Sequence, residues 1–216
     1  MSARPAFDPR LCLVTDPALT ASAGLERVVG QAVAGGVTLV QLRDPYAKGA
    51  VLLEAARRLK ALLAGTSVRL IVNDRLDIAL AADADGAHVG QDDLPPAEAR
   101  ALLGEHRLLG LSVTHQDQIA AIDPRGIDYV GLGPVFATMS KPDAAPPLGL
   151  DGLAAAAARL DLPAVAIGGI DAGNAPAVMR AGAAGIAVIS AICGAADPGA
   201  AARTLRRTID AAISGG

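Results

Sequence analysis

The sequence predicts an α/β chain folded as one (β/α)8 TIM barrel, a single domain over residues 1–216. Eight short β-rich runs recur along it, each followed by a helix-period pattern. Several of these runs are unbroken apolar stretches, as parallel strands covered on both faces require. The length gives about 27 residues per strand–helix unit, lean but sufficient for a barrel. A doubly wound open sheet is the alternative, and the absence of a glycine-rich first turn of the dinucleotide type counts against it.

The strands follow in order. Leu11–Asp16 opens the series as an apolar run ending in Thr15 and Asp16, and Asp16 reads as a capping or turn residue. Between it and the second strand, Leu25, Val28, Val29, Ala32 and Val33 recur at i, i+3, i+4, i+7 and i+8, one apolar helix face. Thr38–Asp44 is the second strand, and Leu52, Ala55, Ala56, Leu59 and Leu63 form the helical stripe behind it. Arg69–Asp74, Gly86–Gly90, Arg107–Ser112, Tyr129–Gly133, Ala164–Gly169 and Gly185–Ser190 complete the set. Asp197 before Pro198 reads as an N-cap with proline at the first helical position, opening a last helix that ends near Ile213. The one long connection, Pro134–Leu150, is rich in proline and polar residues and reads as an active-site loop.

Composition narrows the function. Hydrophobic residues make up 52% and charged residues 19%, enough for a large core and incompatible with a disordered chain. Aromatics are 2% and the net charge is −3, so neither base stacking nor a basic footprint points to nucleic acid. No run reaches the ~18 apolar residues of a membrane span. Cys12 and Cys193 both lie in or beside apolar runs and are expected to be reduced. Met1–Arg10 lacks an apolar stretch of the secretory kind, so a cytoplasmic protein is expected.

In a barrel of this class the site lies at the C-terminal ends of the strands. Those ends carry Gln41, Leu42, Arg43 and Asp44 on the second strand and Asn73 and Asp74 on the third. Gln91, Asp92 and Asp93 follow the fourth, Ser112 ends the fifth, and Thr138, Met139, Ser140 and Lys141 follow the sixth. The seventh ends in Gly168-Gly169 and the eighth in Ile189-Ser190, where barrels often hold phosphate on backbone amides. Asp74 and Asp93 come from neighbouring strands, so their carboxylates can share one Mg²⁺, unless they merely pair with Arg43. Arg43 offers a planar fork for phosphate oxygens. Of the three lysines, Lys60 lies on a helical surface pattern and reads as solvated, whereas Lys141 sits in the long loop, beside the Thr138 and Ser140 hydroxyls. His88, inside a strand, reads as structural, and His115 lies on the rim.

These strings together resemble the thiamine phosphate synthase family. The resemblance rests on Leu13 to Asp16, Gly36 to Asp44, Val72 to Asp74, Val89 to Asp93, Leu109 to Ser112, Tyr129 to Lys141, Ala166 to Ile170 and Ala187 to Ile192, in order along nearly the whole chain. It implies condensation of 4-amino-2-methyl-5-(diphosphooxymethyl)pyrimidine with a thiazole phosphate, giving thiamine phosphate and pyrophosphate. It implies Mg²⁺ on Asp74 and Asp93, and catalytic roles for Arg43, Ser112 and Lys141. It places the pyrimidine diphosphate on Gln41, Leu42, Arg43, Asp44, Pro45, Asn73, Ser112 and Lys141, and the thiazole phosphate on Thr138, Met139, Ser140, Gly169, Ile189 and Ser190. The partners implied are small phosphorylated molecules, with no nucleic acid and no membrane; a homo-oligomer is left open.

Two positions depart from the family pattern. Pro45 stands where the family usually has a lysine, which removes one cation from the diphosphate side. Thr114 stands where the family tends to have a histidine, and His115 follows it. Two other readings remain: a thiazole tautomerase-like relative, and a barrel that binds a phosphorylated ligand without catalysis.

Overall fold

The computed structural model describes residues 5–140 and 145–215. Eight parallel strands close into a barrel in sequence order: β1 (Leu11–Val14), β2 (Leu39–Leu42), β3 (Arg69–Asn73), β4 (Gly86–Val89), β5 (Leu108–Val113), β6 (Tyr129–Leu132), β7 (Ala164–Ile167) and β8 (Gly185–Val188). The ring closes where β1 pairs with β8, Cys12 opposite Ala187. The closed sheet excludes the doubly wound alternative.

The connecting helices are α1 (Pro17–Thr20), α2 (Leu25–Ala34), α3 (Gly49–Leu63), α4 (Leu76–Ala81), α5 (Pro96–Leu103), α6 (Gly149–Ala157), α7 (Ala175–Arg180), α8 (Ser190–Cys193) and α9 (Pro198–Ser214). A 3-10 segment, Gln116–Ala121, follows β5 instead of an α-helix. The Asp16 side chain accepts from the Ala18 and Leu19 amides and caps α1, as its sequence position indicated. Asp197 caps α9 through the Ala200 amide. None of the helices in the described residues is long and apolar enough to cross a membrane.

Alternation along each strand divides the buried residues into two cores. Outward positions such as Leu11, Leu13, Val40, Leu70, Val72, Leu109 and Val130 pack against the apolar helix faces. Inward positions form a smaller plug in the lumen: Cys12, Val14, Leu39, Ile71, Leu108, Tyr129, Val165 and Ala187, with Phe7 against Tyr129 from below. The lumen is therefore a packed core, not a channel. Both cysteines are free and buried, and burial pushes the Cys12 thiol up to about 12 and the Cys193 thiol up to about 11.

Polar ties hold the outer layer in register. The buried Arg100 guanidinium on α5 donates to Asp128 at 2.6 Å and to the carbonyls of Gly104, Arg107 and Gly126. Asp85 accepts from the Leu70 amide and pairs with Lys60 at 3.0 Å. Lys60 is thus not simply solvated: its stem runs along α3 and its ammonium reaches the acid at the foot of β4.

Candidate active site

At the C-terminal mouth, β1 and β2 are joined by Thr15. Its amide donates to the Gln41 carbonyl, and its buried hydroxyl donates to the Arg43 carbonyl while accepting from the Arg43 amide. The half-buried Arg43 is thereby fixed through its backbone, and among the described residues its side chain has no ion-pair partner. The simple pairing of Arg43 with an aspartate is not the arrangement found. The Asp44 carboxylate accepts from the amides of Tyr46 and Ala47, so its first role is to shape the turn. The Leu42 side chain packs in the helix-side core and can offer substrate only its backbone. Pro45 and Lys48 are exposed.

On the adjoining strands, Asn73 lies opposite His88 in register. Asp74 has a left-handed backbone, φ 59°, which aspartate tolerates better than most side chains. Its amide donates to the His88 carbonyl at 2.8 Å, and its carboxylate is exposed. Asp93 is also exposed; its Oδ2 accepts from the Gly90 amide at 2.7 Å, closing the turn after β4. Asp93 is near enough to His88 to act on its charge. Both carboxylates therefore flank the end of β4. Among the described residues no cluster of three or more histidine, cysteine or acidic side chains forms a metal cage. Two carboxylates open to solvent fit an ion such as Mg²⁺, which keeps water and takes substrate phosphate oxygens as further ligands.

The floor of the mouth is a buried polar network. His88 Nδ1 lies 3.0 Å from Tyr129 Oη, and His88 Nε2 lies 2.8 Å from Ser112 Oγ. The Gln41 side chain is also buried and lies close enough to the Tyr129 phenol to act on it. Burial pulls the His88 imidazole down to about 4, so it is neutral near pH 7. Two glycines make the space. A Cβ at Gly110 would stand 2.3 Å from His88 Nδ1 and 2.3 Å from Tyr129 Cζ, and one at Gly131 would stand 3.1 Å from His88 Cε1.

Across the mouth, the loop after β6 interlocks with the end of β7. Val135 and Phe136 donate to the carbonyls of Ile167 and Gly168. Gly168 and Gly169 have φ of 101° and 62°, and a Cβ at Gly169 would stand 2.6 Å from the Ala137 carbonyl. The Asn174 side chain steadies this turn by donating to the Gly169 carbonyl at 2.8 Å. Gly169 and Ser190 are exposed, and Ile189 immediately precedes α8, whose first amides lie ahead of any intrahelical acceptor. Thr138 Oγ1 accepts from the Ser140 amide at 3.2 Å, and Met139 is 96% exposed. Lys141 and the middle of the Pro134–Leu150 loop lie outside the described residues.

The fold thus gathers Gln41, Arg43, Asn73, Asp74, Asp93 and Ser112 on one arc of the rim. Thr138, Met139, Ser140, Gly169, Ile189 and Ser190 occupy the other. His115 is exposed at the start of the 3-10 segment, where its amide donates to Gln118 Oε1. Sequence reasoning missed Thr15 and Tyr129 as parts of the site. The available signal was Gly110 and Gly131 at inward positions beside strands carrying a histidine and a tyrosine.

A family model described as thiamine monophosphate synthase matches residues 11–192. A thiamine-phosphate synthase of Xanthobacter autotrophicus is 54% identical over 206 residues, covering 95% of this chain and 98% of that one. One from Azorhizobium caulinodans is 53% identical over 204 residues, covering 94% and 96%. Among solved structures, thiamine phosphate pyrophosphorylase from Pyrococcus furiosus superposes with a TM-score of 0.86 at 33% identity, covering 95% of this chain and 98% of that one. With the model matching most of its length and relatives above half identity end to end, the chain belongs to the thiamine monophosphate synthase family.

Proposed function

We propose that this rim joins the diphosphorylated aminopyrimidine to a thiazole phosphate, releasing pyrophosphate. The thiazole nitrogen bonds to the pyrimidine methylene carbon, and that carbon's bond to the diphosphate oxygen breaks. The observation that carries the assignment of roles is the division of the mouth into two arcs. One has acids, Arg43 and the Ser112 hydroxyl; the other has loop hydroxyls and turn amides.

Arg43 binds departing diphosphate oxygens, which gain charge as the bond breaks; such preorganised groups act most strongly away from water. Lys141 adds a second cation from the loop. Asp74 and Asp93 would hold Mg²⁺, which supplies further charge neutralisation for the leaving diphosphate when bound. Gln41, Asn73 and Ser112 orient the pyrimidine end. The amides near Gly169 and Ser190, with Thr138 and Ser140, hold the thiazole phosphate so that its nitrogen lies in line with the methylene carbon. Leu42, Asp44, Pro45, Met139 and Ile189 contribute backbone and shape.

Incubating the purified chain with both substrates and Mg²⁺ tests the reading. Thiamine phosphate and pyrophosphate are expected in equal amounts, and their absence would refute it.

A further inference from the structure

Thr15 completes a strand ladder with its side chain. In a parallel pair the rungs recur every second residue. The Thr15 amide donates to the Gln41 carbonyl, so the next rung would join the amide of residue 17 to the Arg43 carbonyl. Pro17 opens α1 and has no N–H to give. The backbone of β1 therefore cannot supply that rung, and the Thr15 hydroxyl supplies it instead. It donates to the Arg43 carbonyl at 3.1 Å and accepts from the Arg43 amide at 2.9 Å. One O–H group meets both needs. Thr15 is buried, so water does not compete for the pair.

The rung lies where the charge of the rim is set. Leu42 packs toward the helices, so alternation carries the next side chain, Arg43, toward the mouth. One residue later the chain leaves the strand for the turn shaped by Asp44. Without the hydroxyl, Arg43 would belong to that turn and its guanidinium would sweep a wider arc. The foot of the same strand pair carries the same device. Thr38 Oγ1 accepts from the Leu11 amide and donates to the Leu11 carbonyl, each at 3.1 Å. Thr38 ties the same two strands at the end of the barrel opposite the rim.

We propose that Thr15 is a positioning residue for the condensation, its hydroxyl rung holding the Arg43 guanidinium on the leaving diphosphate; this rests on the role given to Arg43 above. The guanidinium has to meet oxygens whose charge grows as the bond to the methylene carbon breaks. A guanidinium that has to be ordered at that moment loses part of the stabilisation it could give. Removal of the rung therefore falls on kcat more than on KM.

Thr15→Val keeps the branched shape and removes the O–H. It is expected to lower kcat on the order of tenfold, with KM for thiazole phosphate unaltered and KM for the pyrimidine diphosphate changed much less. Thr15→Ser restores the hydroxyl and should recover most of kcat. Thr38→Val should lower the urea midpoint as Thr15→Val does and leave kcat unchanged, which separates positioning from stability. In an Arg43→Gln background, adding Thr15→Val should lower kcat little further, because the group it positions is gone. Amide hydrogen exchange of the unaltered protein should show the Arg43 amide as protected as that of Thr15, a measurement that does not depend on any variant folding. Rapid exchange at Arg43 overturns the proposal, as does a folded Thr15→Val with unchanged kcat or a serine variant no better than the valine one. An equal loss of kcat in Thr38→Val, or effects that add fully in the Arg43→Gln background, overturns it too. An unaltered protein that makes no thiamine phosphate, or an Arg43→Gln variant with full turnover, refutes instead the reading on which it rests.

Discussion

His88 is a histidine placed where its charged form cannot be solvated. Burial holds its pKa at about 4, against about 6.5 for an exposed imidazole, and nearby Asp93 only partly opposes that fall. The unfolded chain therefore binds a proton below pH 6.5 that the native chain refuses. Stability present above pH 6.5 is lost as the pH falls toward 4, by roughly 3 kcal/mol over the full span. Urea melts at pH 7.5 and 4.5 should show this loss, and His88→Asn should shrink it. Asp93 carries a different expectation. Its carboxylate faces solvent on the rim, so Asp93→Asn should leave the urea midpoint nearly unchanged while lowering turnover on the order of 100-fold, the scale of removing one preorganised charge partner. Full activity in that variant would remove Asp93 from the charge clamp.

Within an element, the same residue type serves opposite ends. Gly30 lies in α2, and a Cβ there would meet nothing closer than Leu62 at 3.9 Å. Gly30→Ala should stabilise the chain by about 0.5–1 kcal/mol through helix propensity alone. Gly110→Ala on β5 should instead destabilise by about 1–3 kcal/mol, because His88 and Tyr129 have no room to yield. Thermal melts of the two variants moving in opposite directions would check both. The comparison also shows what a sequence can disclose. Apolar runs located all eight strands and helical stripes the α2 and α3 faces, since burial on two faces or one leaves a direct periodic trace, while the Asp197-Pro198 cap located the start of α9. The strands are mostly a residue or two shorter at their C-terminal ends than the polar endings indicated, because residues such as Asp44 and Gly90 serve the turns. The four-residue α1 and α8 were not visible, being too short to display a period. Inward and outward alternation was legible along each strand. Which inward side chains meet was not, since that depends on the stagger between strands that sets Gly110 opposite His88 and Tyr129.

For the molecule as a whole, the barrel separates tasks by layer. The helix-side core and the ties through Arg100 and Asp85 hold the frame, while the proposed chemistry is confined to one end. The described strand-end residues read from the sequence lie at that end, and the pairing of β3 with β4 puts the segments that carry Asp74 and Asp93 on adjoining strands. Two grooves lie outside it. One of about 230 Å³ runs between α1, α2 and α3, and another of about 550 Å³ runs between α5 and the 3-10 segment. They touch the rim at Arg43 and Asp93 but do not contain it.

The plug of side chains in the lumen has a consequence for traffic. Phe7, Tyr129 and their neighbours stopper the barrel from below, leaving a vessel with one door. Gln41 lies near the bottom of that vessel, while Met139, Gly169 and Ser190 stand at its lip. On the substrate roles proposed above, the pyrimidine diphosphate at the bottom has to arrive before the thiazole phosphate at the lip. A non-nucleophilic thiazole phosphate mimic is therefore expected to inhibit uncompetitively against the pyrimidine diphosphate, the signature of a queue with a fixed order.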